Sequence, residues 1–205
     1  MNIAVFASGR GSNFQAILSA IDHGVLPARV TLAVCNKAEA GALEIARSRN
    51  IPAIHISQQE FPAEDIYAAK LLELLGKHQA DVIALAGYLK RIPPSVVQKF
   101  RNRILNVHPA LLPSFGGPGM YGMHVHEAVI QSGVKLSGAS VHVVDEEYDR
   151  GPIVLQKTVE VIESDTPESL AAKVLTIEHE IYPQALKAFA EGRIRIEGRK
   201  VWIQP

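Results

Sequence analysis

Short unbroken apolar runs alternate with helical patterns through the first half of the chain. The apolar runs cover residues 3–7, 30–35, 81–87 and 104–107, and helical patterns cover 14–24, 39–50 and 66–78. Unbroken apolar runs are typical of central parallel strands that are covered on both faces. The repeated strand–helix order therefore predicts an α/β protein with a doubly wound, mostly parallel, Rossmann-like sheet. In such sheets ligands bind beyond the carboxyl ends of the strands.

The last third of the chain follows a different pattern. Two strand-like stretches surround a polar turn within residues 138–161, and a second alternating pattern covers residues 193–203. Both predict β-hairpins. Between them, residues 165–192 predict a long helix that begins with a cap signal and a proline. We expect Pro183 to kink or interrupt that helix. No low-complexity linker separates these parts, so we expect a single domain over residues 1–205.

Composition excludes several classes of protein. The chain has 205 residues, with 21 Lys and Arg against 21 Asp and Glu. This balance argues against a protein that coats nucleic acid. The single cysteine, Cys35, excludes an internal disulfide framework and favours a reduced, cytoplasmic protein. The N-terminal residues show no basic leader, and the longest apolar run is too short to span a bilayer. We therefore expect neither nucleic acid nor membrane as a partner.

The loop that follows the first predicted strand is a candidate anion site. Residues 7–17 read ASGRGSNFQAI, so glycines follow the strand and a helix begins near Asn13. Gly11, Ser12 and Asn13 would then offer backbone and side-chain donors at a helix N-terminus, where phosphate groups bind. Phe14 breaks the dinucleotide-binding fingerprint. The alternative is an ordinary strand-to-helix turn that needs glycines.

The fourth apolar run ends in a pair of polar side chains. Asn106 and His108 lie two residues apart, so on a strand they share a face at its carboxyl end, and Pro109 then turns the chain away. An amide beside an imidazole can stabilise a developing oxyanion. The alternative is that the two side chains only hydrogen-bond a loop.

Asp149 is the third candidate, in the acidic loop of the first predicted hairpin. A carboxylate near His108 would favour the imidazolium and raise its pKa. The alternative is a solvated acidic turn, and the sequence alone does not bring Asp149 near His108.

Other histidines invite a metal interpretation. His124 and His126 are two residues apart in a helical pattern, so they do not share a face, and no third ligand follows at a clear spacing. We expect no metal. Glu178 and His179, in the last helix, are surface residues or reach a cleft; periodicity does not decide between the two.

These stretches together resemble the glycinamide ribonucleotide transformylases (phosphoribosylglycinamide formyltransferases). The similarity lies in VFASGRGSN, NVHPALLPSF, GMYGMHVHEAV, GASVHVVDEEYDRGPI and KVLTIEHEIYP, and extends from Met1 to about Gly192. It implies the formyltransferase fold and the transfer of a formyl group from 10-formyltetrahydrofolate to the amine of 5-phosphoribosylglycinamide in de novo purine biosynthesis. The transfer would be a direct attack through a tetrahedral intermediate, without a metal.

The resemblance also implies roles for individual residues. Asn106, His108 and Asp149 match the family's catalytic groups. Gly11, Ser12, Asn13 and Glu178 match residues that bind the ribonucleotide. Leu89, Lys90, Arg91 and Ile92 match the segment that lines the folate pocket, and Asn106 also contacts the folate. Glu64 and Arg150 depart from the family pattern, which puts one folate contact in doubt but removes no catalytic group.

Three alternatives to this activity stay open. A formyltetrahydrofolate hydrolase shares the Asn–His–Asp group, and a methionyl-tRNA formyltransferase would add a C-terminal RNA-binding domain and a basic excess. A folate- or nucleotide-binding module without activity is the third. Small-molecule substrates are the expected partners in the preferred interpretation. A homodimer stays open, with the C-terminal hairpin as its candidate contact.

Overall fold

The computed structural model describes all residues from Met1 to Pro205. Its main sheet has seven strands, and a separate two-stranded sheet lies near the C-terminus. The contacts divide the chain into two compact units, Met1–Asn106 and Val107–Pro205. No helix is both long enough and apolar enough to cross a membrane.

The first unit carries the parallel part of the main sheet. Its strands are β1 (Asn2–Ala7), β2 (Arg29–Cys35), β3 (Ala53–His55), β4 (Val82–Leu85) and β5 (Ile104–His108), which ends just beyond the unit boundary. They pair in the order β3-β2-β1-β4-β5, and every pair is parallel. Strands β1 and β2 contribute fully buried side chains to the core, among them Phe6 and Leu32. The predicted mostly parallel sheet is confirmed.

Helices connect these strands. They are α1 (Ser12–Asp22), α2 (Gly41–Ser48), α3 (Glu64–Lys77) and α4 (Pro94–Lys99). Phe14, Ile17 and Leu18 are the apolar residues that α1 buries, at the i, i+3, i+4 spacing of one helix face. The sequence analysis missed β3 and α4, because three and six residues are too few to establish a period.

The second unit contains the predicted hairpins and the long helix. It holds α5 (Met123–Ser132), β6 (Leu136–Val143), β7 (Ile153–Glu160), α6 (Pro167–Ala190), β8 (Ile194–Glu197) and β9 (Lys200–Ile203). Strands β6 and β7 pair antiparallel, as do β8 and β9. Helix α6 packs on both β6 and β7 and against α5.

Helix α6 begins where the sequence predicts but does not stop at its proline. The Thr166 side chain accepts a hydrogen bond from the Ser169 N–H, while the Ser169 hydroxyl accepts one from the Thr166 N–H. The helix then continues without a break through Pro183, so the expected interruption is wrong, and the alternative of a kink stays a prediction. Proline removes one backbone hydrogen bond, whereas the turns on both sides bury Tyr182 and Leu186 completely. Burial of the helix face therefore keeps it continuous.

Candidate active site

His108 is the last residue of β5, and only 4% of its surface is exposed. Its Nε2 atom lies 2.8 Å from the backbone oxygen of Phe115. Because a carbonyl oxygen can only accept, Nε2 carries the hydrogen in this arrangement. Asn106 lies two residues earlier on the same strand and is half-buried. The predicted placement of both side chains at the end of one strand is confirmed.

Asp149 lies in the loop between β6 and β7 and is brought to His108. One carboxylate oxygen, Oδ2, lies 3.7 Å from Nδ1 of His108 and accepts a hydrogen bond of 2.9 Å from the Gly117 N–H. The first distance is too long for a hydrogen bond but is short enough for a strong charge interaction. About forty residues separate these side chains along the chain, so only the packing of the second unit makes them neighbours.

His142 is a third member of this cluster, and the sequence analysis missed it. It lies on β6, is 2% exposed, and places Nε2 3.5 Å from Oδ1 of Asp149. Its other nitrogen, Nδ1, lies 3.1 Å from the Val143 carbonyl oxygen. A signal was available: His142 is a titratable side chain within an apolar strand, in the same predicted hairpin as Asp149.

Burial sets the protonation behaviour of this cluster. Desolvation lowers the pKa of His108 below its usual value, and the Asp149 carboxylate and the Phe115 carbonyl only partly oppose it. Asp149 thus acts on the pKa of His108 in the expected direction, but desolvation outweighs it and the pKa is lowered overall. Burial alone would raise the pKa of Asp149, but the His142 hydrogen bond, the charge of His108 and the Gly117 N–H together lower it. Asp149 is thus a carboxylate at neutral pH.

A glycine-rich loop lets the backbone approach Asp149. A Cβ atom at Gly116 would lie 2.5 Å from Cδ2 of Leu112 and 3.1 Å from Cβ of Asp149. Gly117 adopts a φ of +99°, which favours glycine. Both glycines are therefore needed for the Gly117 N–H to reach the carboxylate.

The two histidines of α5 have different environments, as their spacing predicts. His124 is exposed and lies 3.3 Å from a Glu127 oxygen. His126 is 5% exposed, its Nδ1 has no hydrogen-bond partner, and burial, followed by the charge of His108, lowers its pKa. No group of three or more His, Cys, Asp or Glu side chains is arranged to hold a metal ion.

Glu178 and its neighbour lie on α6. Glu178 is 8% exposed, which excludes the interpretation as a surface residue. His179 is half-buried, and burial lowers its pKa.

The N-terminal loop has the predicted strand–loop–helix form. Gly11 precedes α1 with a φ of +85° and ψ of 25°, which places it in the left-handed region. A Cβ atom there would lie 2.9 Å from Cδ1 of Ile45 and 3.0 Å from Ala42. Ser12 and Asn13 form the first turn, and Asn13 is 7% exposed. This loop therefore requires glycine for both its conformation and its packing.

The segment after β4 combines buried anchors with exposed residues. Tyr88 is buried, and its hydroxyl lies 3.0 Å from the hydroxyl of Tyr67. Leu89 is 47% exposed, Lys90 and Arg91 are also exposed, and Ile92 is buried again. Two buried side chains thus hold three exposed ones at the carboxyl end of a central strand.

Comparison with known proteins identifies the family. The model of a family described as formyl transferase matches residues 1–186. The chain belongs to the formyl transferase family. Its α/β fold also matches a crystal structure of glycinamide ribonucleotide transformylase 1 from Symbiobacterium toebii, with a TM-score of 0.94 and 40% identity, over 100% of this chain and 94% of that one.

Curated relatives in plants and bacteria are named phosphoribosylglycinamide formyltransferase. The chain is 46% identical to the chloroplastic phosphoribosylglycinamide formyltransferase of Arabidopsis thaliana, over 94% of this chain but 66% of that protein. It is 36% identical to the phosphoribosylglycinamide formyltransferase of Escherichia coli (strain K12), over 99% of this chain and 93% of that protein. The chain therefore spans nearly the whole bacterial relative but only about two thirds of the plant one.

Proposed function

We propose that this protein transfers the formyl group of 10-formyltetrahydrofolate to the amine of 5-phosphoribosylglycinamide, a step of purine biosynthesis. The observation that carries the proposal is the match to a relative named for this activity over 99% of the chain. The cluster of His108, Asp149 and His142 supports it, because acyl transfer needs hydrogen-bond donors and a proton acceptor in a water-poor site.

We propose Asn106, His108 and Asp149 as the catalytic groups. The neutral amine attacks the formyl carbon, and its electron pair forms the new C–N bond while the carbonyl oxygen becomes an oxyanion. The Asn106 amide would donate to that oxyanion, and so would the Nε2–H of His108 once it leaves the Phe115 carbonyl to which it donates in the structure. Nε2–H is a donor in both the neutral and the charged imidazole, so this contact is compatible with the lowered pKa of His108.

Collapse of the tetrahedral intermediate needs proton movement. The attacking nitrogen must lose a proton, and the folate nitrogen must gain one as its bond to the formyl carbon breaks. Asp149 is a carboxylate at neutral pH and lies beside His108, so the pair can accept the first proton and hold a proton for the second step.

The substrate-binding roles are also proposals. We assign the ribonucleotide phosphate to Gly11, Ser12 and Asn13, because these residues begin α1 after a left-handed glycine. Glu178 is assigned to the ribose. The folate is assigned to Leu89, Lys90, Arg91 and Ile92, with Asn106 at the formyl end.

An absorbance assay tests the proposal. Release of deformylated folate is followed with purified protein, 10-formyltetrahydrofolate, and either glycinamide ribonucleotide or no acceptor. The proposal requires release only when the ribonucleotide is present. Equal release without acceptor would show a hydrolase instead, the activity named for a structural neighbour, a formyltetrahydrofolate deformylase at 26% identity.

We further propose that residues 1–205 act as one formyltransferase domain in the cytoplasm, since the family model spans nearly all of them. Cys35 is unpaired and buried, and burial raises the pKa of its thiol to about 11. A homodimer is a separate proposal, which light scattering of the purified protein would test.

A further inference from the structure

Ser8 connects the loops that follow three neighbouring strands. It comes directly after β1, is 3% exposed, and its hydroxyl lies 2.6 Å from Oδ1 of Asn36, directly after β2. The same hydroxyl oxygen accepts a hydrogen bond of 2.9 Å from the N–H of Leu89, after β4. These three strands are adjacent in the order β2-β1-β4.

The hydrogen bonding of this hydroxyl has a fixed direction. The Leu89 N–H can only donate, so the serine oxygen accepts there and must give its own hydrogen to the Asn36 oxygen. The Ser8 backbone N–H additionally donates to the Gly87 carbonyl at 3.0 Å. The side chain therefore determines where the Leu89 peptide lies, and the main-chain bond holds the residue before Tyr88.

Leu89 has few other constraints on its position. Its side chain is 47% exposed, and the neighbouring anchors are Tyr88 on one side and Ile92 on the other. Tyr88 packs edge-on against Phe6, with ring centroids 5.4 Å apart. The Ser8 hydroxyl thus adds a polar contact to these apolar anchors. It holds Leu89, the first residue of the segment that we assign to the folate.

We propose that Ser8 is a positioning residue for the folate segment, although it belongs to the loop that leads to the ribonucleotide phosphate site. The inference rests on the proposed function. We expect that removing the Ser8 hydroxyl weakens binding of the reduced folate and leaves binding of the ribonucleotide unchanged. The phosphate loop keeps its own anchors, because Ala42 N–H donates to Gly9 O and Gln15 N–H donates to Gly11 O.

The test compares Ser8→Ala with wild type by separate titrations of tetrahydrofolate and glycinamide ribonucleotide. The Leu89 N–H is part-buried, so the loss of its acceptor should weaken a linked equilibrium about 5- to 10-fold, the lower end of the range for buried donors. We expect the folate Kd and the folate KM to rise by that factor, with the ribonucleotide Kd unchanged and kcat changed less than KM. Asn36→Ala removes only the acceptor of the Ser8 hydrogen, so it should weaken folate binding in the same direction but less.

Ser48→Ala is the matched control, since the Ser48 hydroxyl is exposed and bonds only the Ile45 carbonyl within its own helix. Unchanged folate binding in Ser8→Ala would overturn the inference, as would equal weakening of both ligands, which indicates general loosening. If Ser8→Ala does not fold, Asn36→Ala replaces it in the test. Unchanged folate binding in Asn36→Ala, or equal weakening of both ligands, would then overturn the inference. A wild-type protein that binds no reduced folate would instead overturn the proposed function.

Discussion

Asp149 Oδ1 lies 3.5 Å from Nε2 of His142, a buried ring on the strand that leads into the Asp149 loop. The other oxygen of the same carboxylate faces His108 at 3.7 Å. One carboxylate is therefore shared between two imidazoles. Because the charge of His142 lowers the pKa of His108 while the charge of Asp149 raises it, the two neighbours act on His108 in opposite directions.

This opposition predicts opposite pH shifts in two variants. Asp149→Asn removes the charge that favours the imidazolium, so the pH-rate limb governed by His108 should move to lower pH. His142→Leu removes a competing positive charge, so the same limb should move to higher pH. The measurement is kcat/KM against pH for both variants, and shifts in the same direction would contradict the shared-carboxylate arrangement.

Loss of the His142 ring should also reduce turnover. Hydrogen bonds to a charged group contribute about 1.5–3 kcal/mol, so we expect His142→Leu to lower kcat roughly 10- to 150-fold. His142→Gln retains an amide donor and should recover part of that loss. His124→Leu is the control, because His124 is exposed on α5 and contacts Glu127 and the Tyr121 ring rather than Asp149 or His108. Wild-type turnover in His142→Leu would remove the ring from the mechanism.

The three proposed catalytic groups should show coupled losses. Removing an oxyanion donor costs about 10²–10³ in turnover, and acid–base groups contribute about 10²–10⁴. We expect Asn106→Ala, His108→Ala and Asp149→Asn each to lose kcat on this order, with little change in ribonucleotide affinity. The double variant of His108 and Asp149 should lose less than the product of the single effects, because both groups act on one charge. Near-normal turnover in Asp149→Asn would exclude Asp149 as the catalytic carboxylate and leave Asp145 or Glu146 as the candidates.

The N-terminal loop offers a matched pair of glycine substitutions. Gly11→Val forces a branched side chain into a left-handed conformation and against α2, which costs about 1–2 kcal/mol in strain alone. The ribonucleotide KM should therefore rise roughly 5- to 30-fold, more than kcat falls. A Cβ atom at Gly9 meets nothing within 4 Å, so Gly9→Ala is the control. Equal effects of both variants on kcat alone would argue against a phosphate site at this loop.

Acid stability should depend on Asp165, which precedes α6. The Lys173 ammonium, the Ile162 N–H and the Ser169 hydroxyl all donate to its carboxylate and lower its pKa to about 2. A lowered carboxyl pKa stabilises the fold above the unfolded-state value of about 3.9, and this stabilisation is lost as the pH falls towards about 2.

Asp165→Asn should therefore lower the Tm near neutral pH and flatten its dependence on pH between about 4 and about 2. Thermal melts across that range measure both effects. Asp65→Asn, an exposed residue in the first turn of α3, should leave the profile unchanged. A parallel downward displacement of the Asp165→Asn curve at every pH would show that the carboxylate acts through geometry rather than charge.

Local sequence patterns were sufficient for most elements of the fold. Unbroken apolar runs gave β1, β2, β4 and β5, and capping chemistry gave the start of α6 at Thr166. Residues 53–55 and 94–99 were missed because so few residues show no period. The interruption expected at Pro183 was wrong because the local cost of a proline was weighed without the burial of the residues around it.

The sequence by itself determined which chemical groups stand at the strand ends: the glycines before α1, and Asn106 and His108 on one strand before a proline. Backbone geometry over a few residues is enough for that, because side chains two apart on a strand share a face. Only the tertiary structure decided that Asp149 lies beside His108, that His142 shares its carboxylate, and that burial lowers the pKa of His108. These properties depend on the distances between side chains from distant parts of the chain and on how far packing removes them from water. A local stretch of residues determines neither quantity.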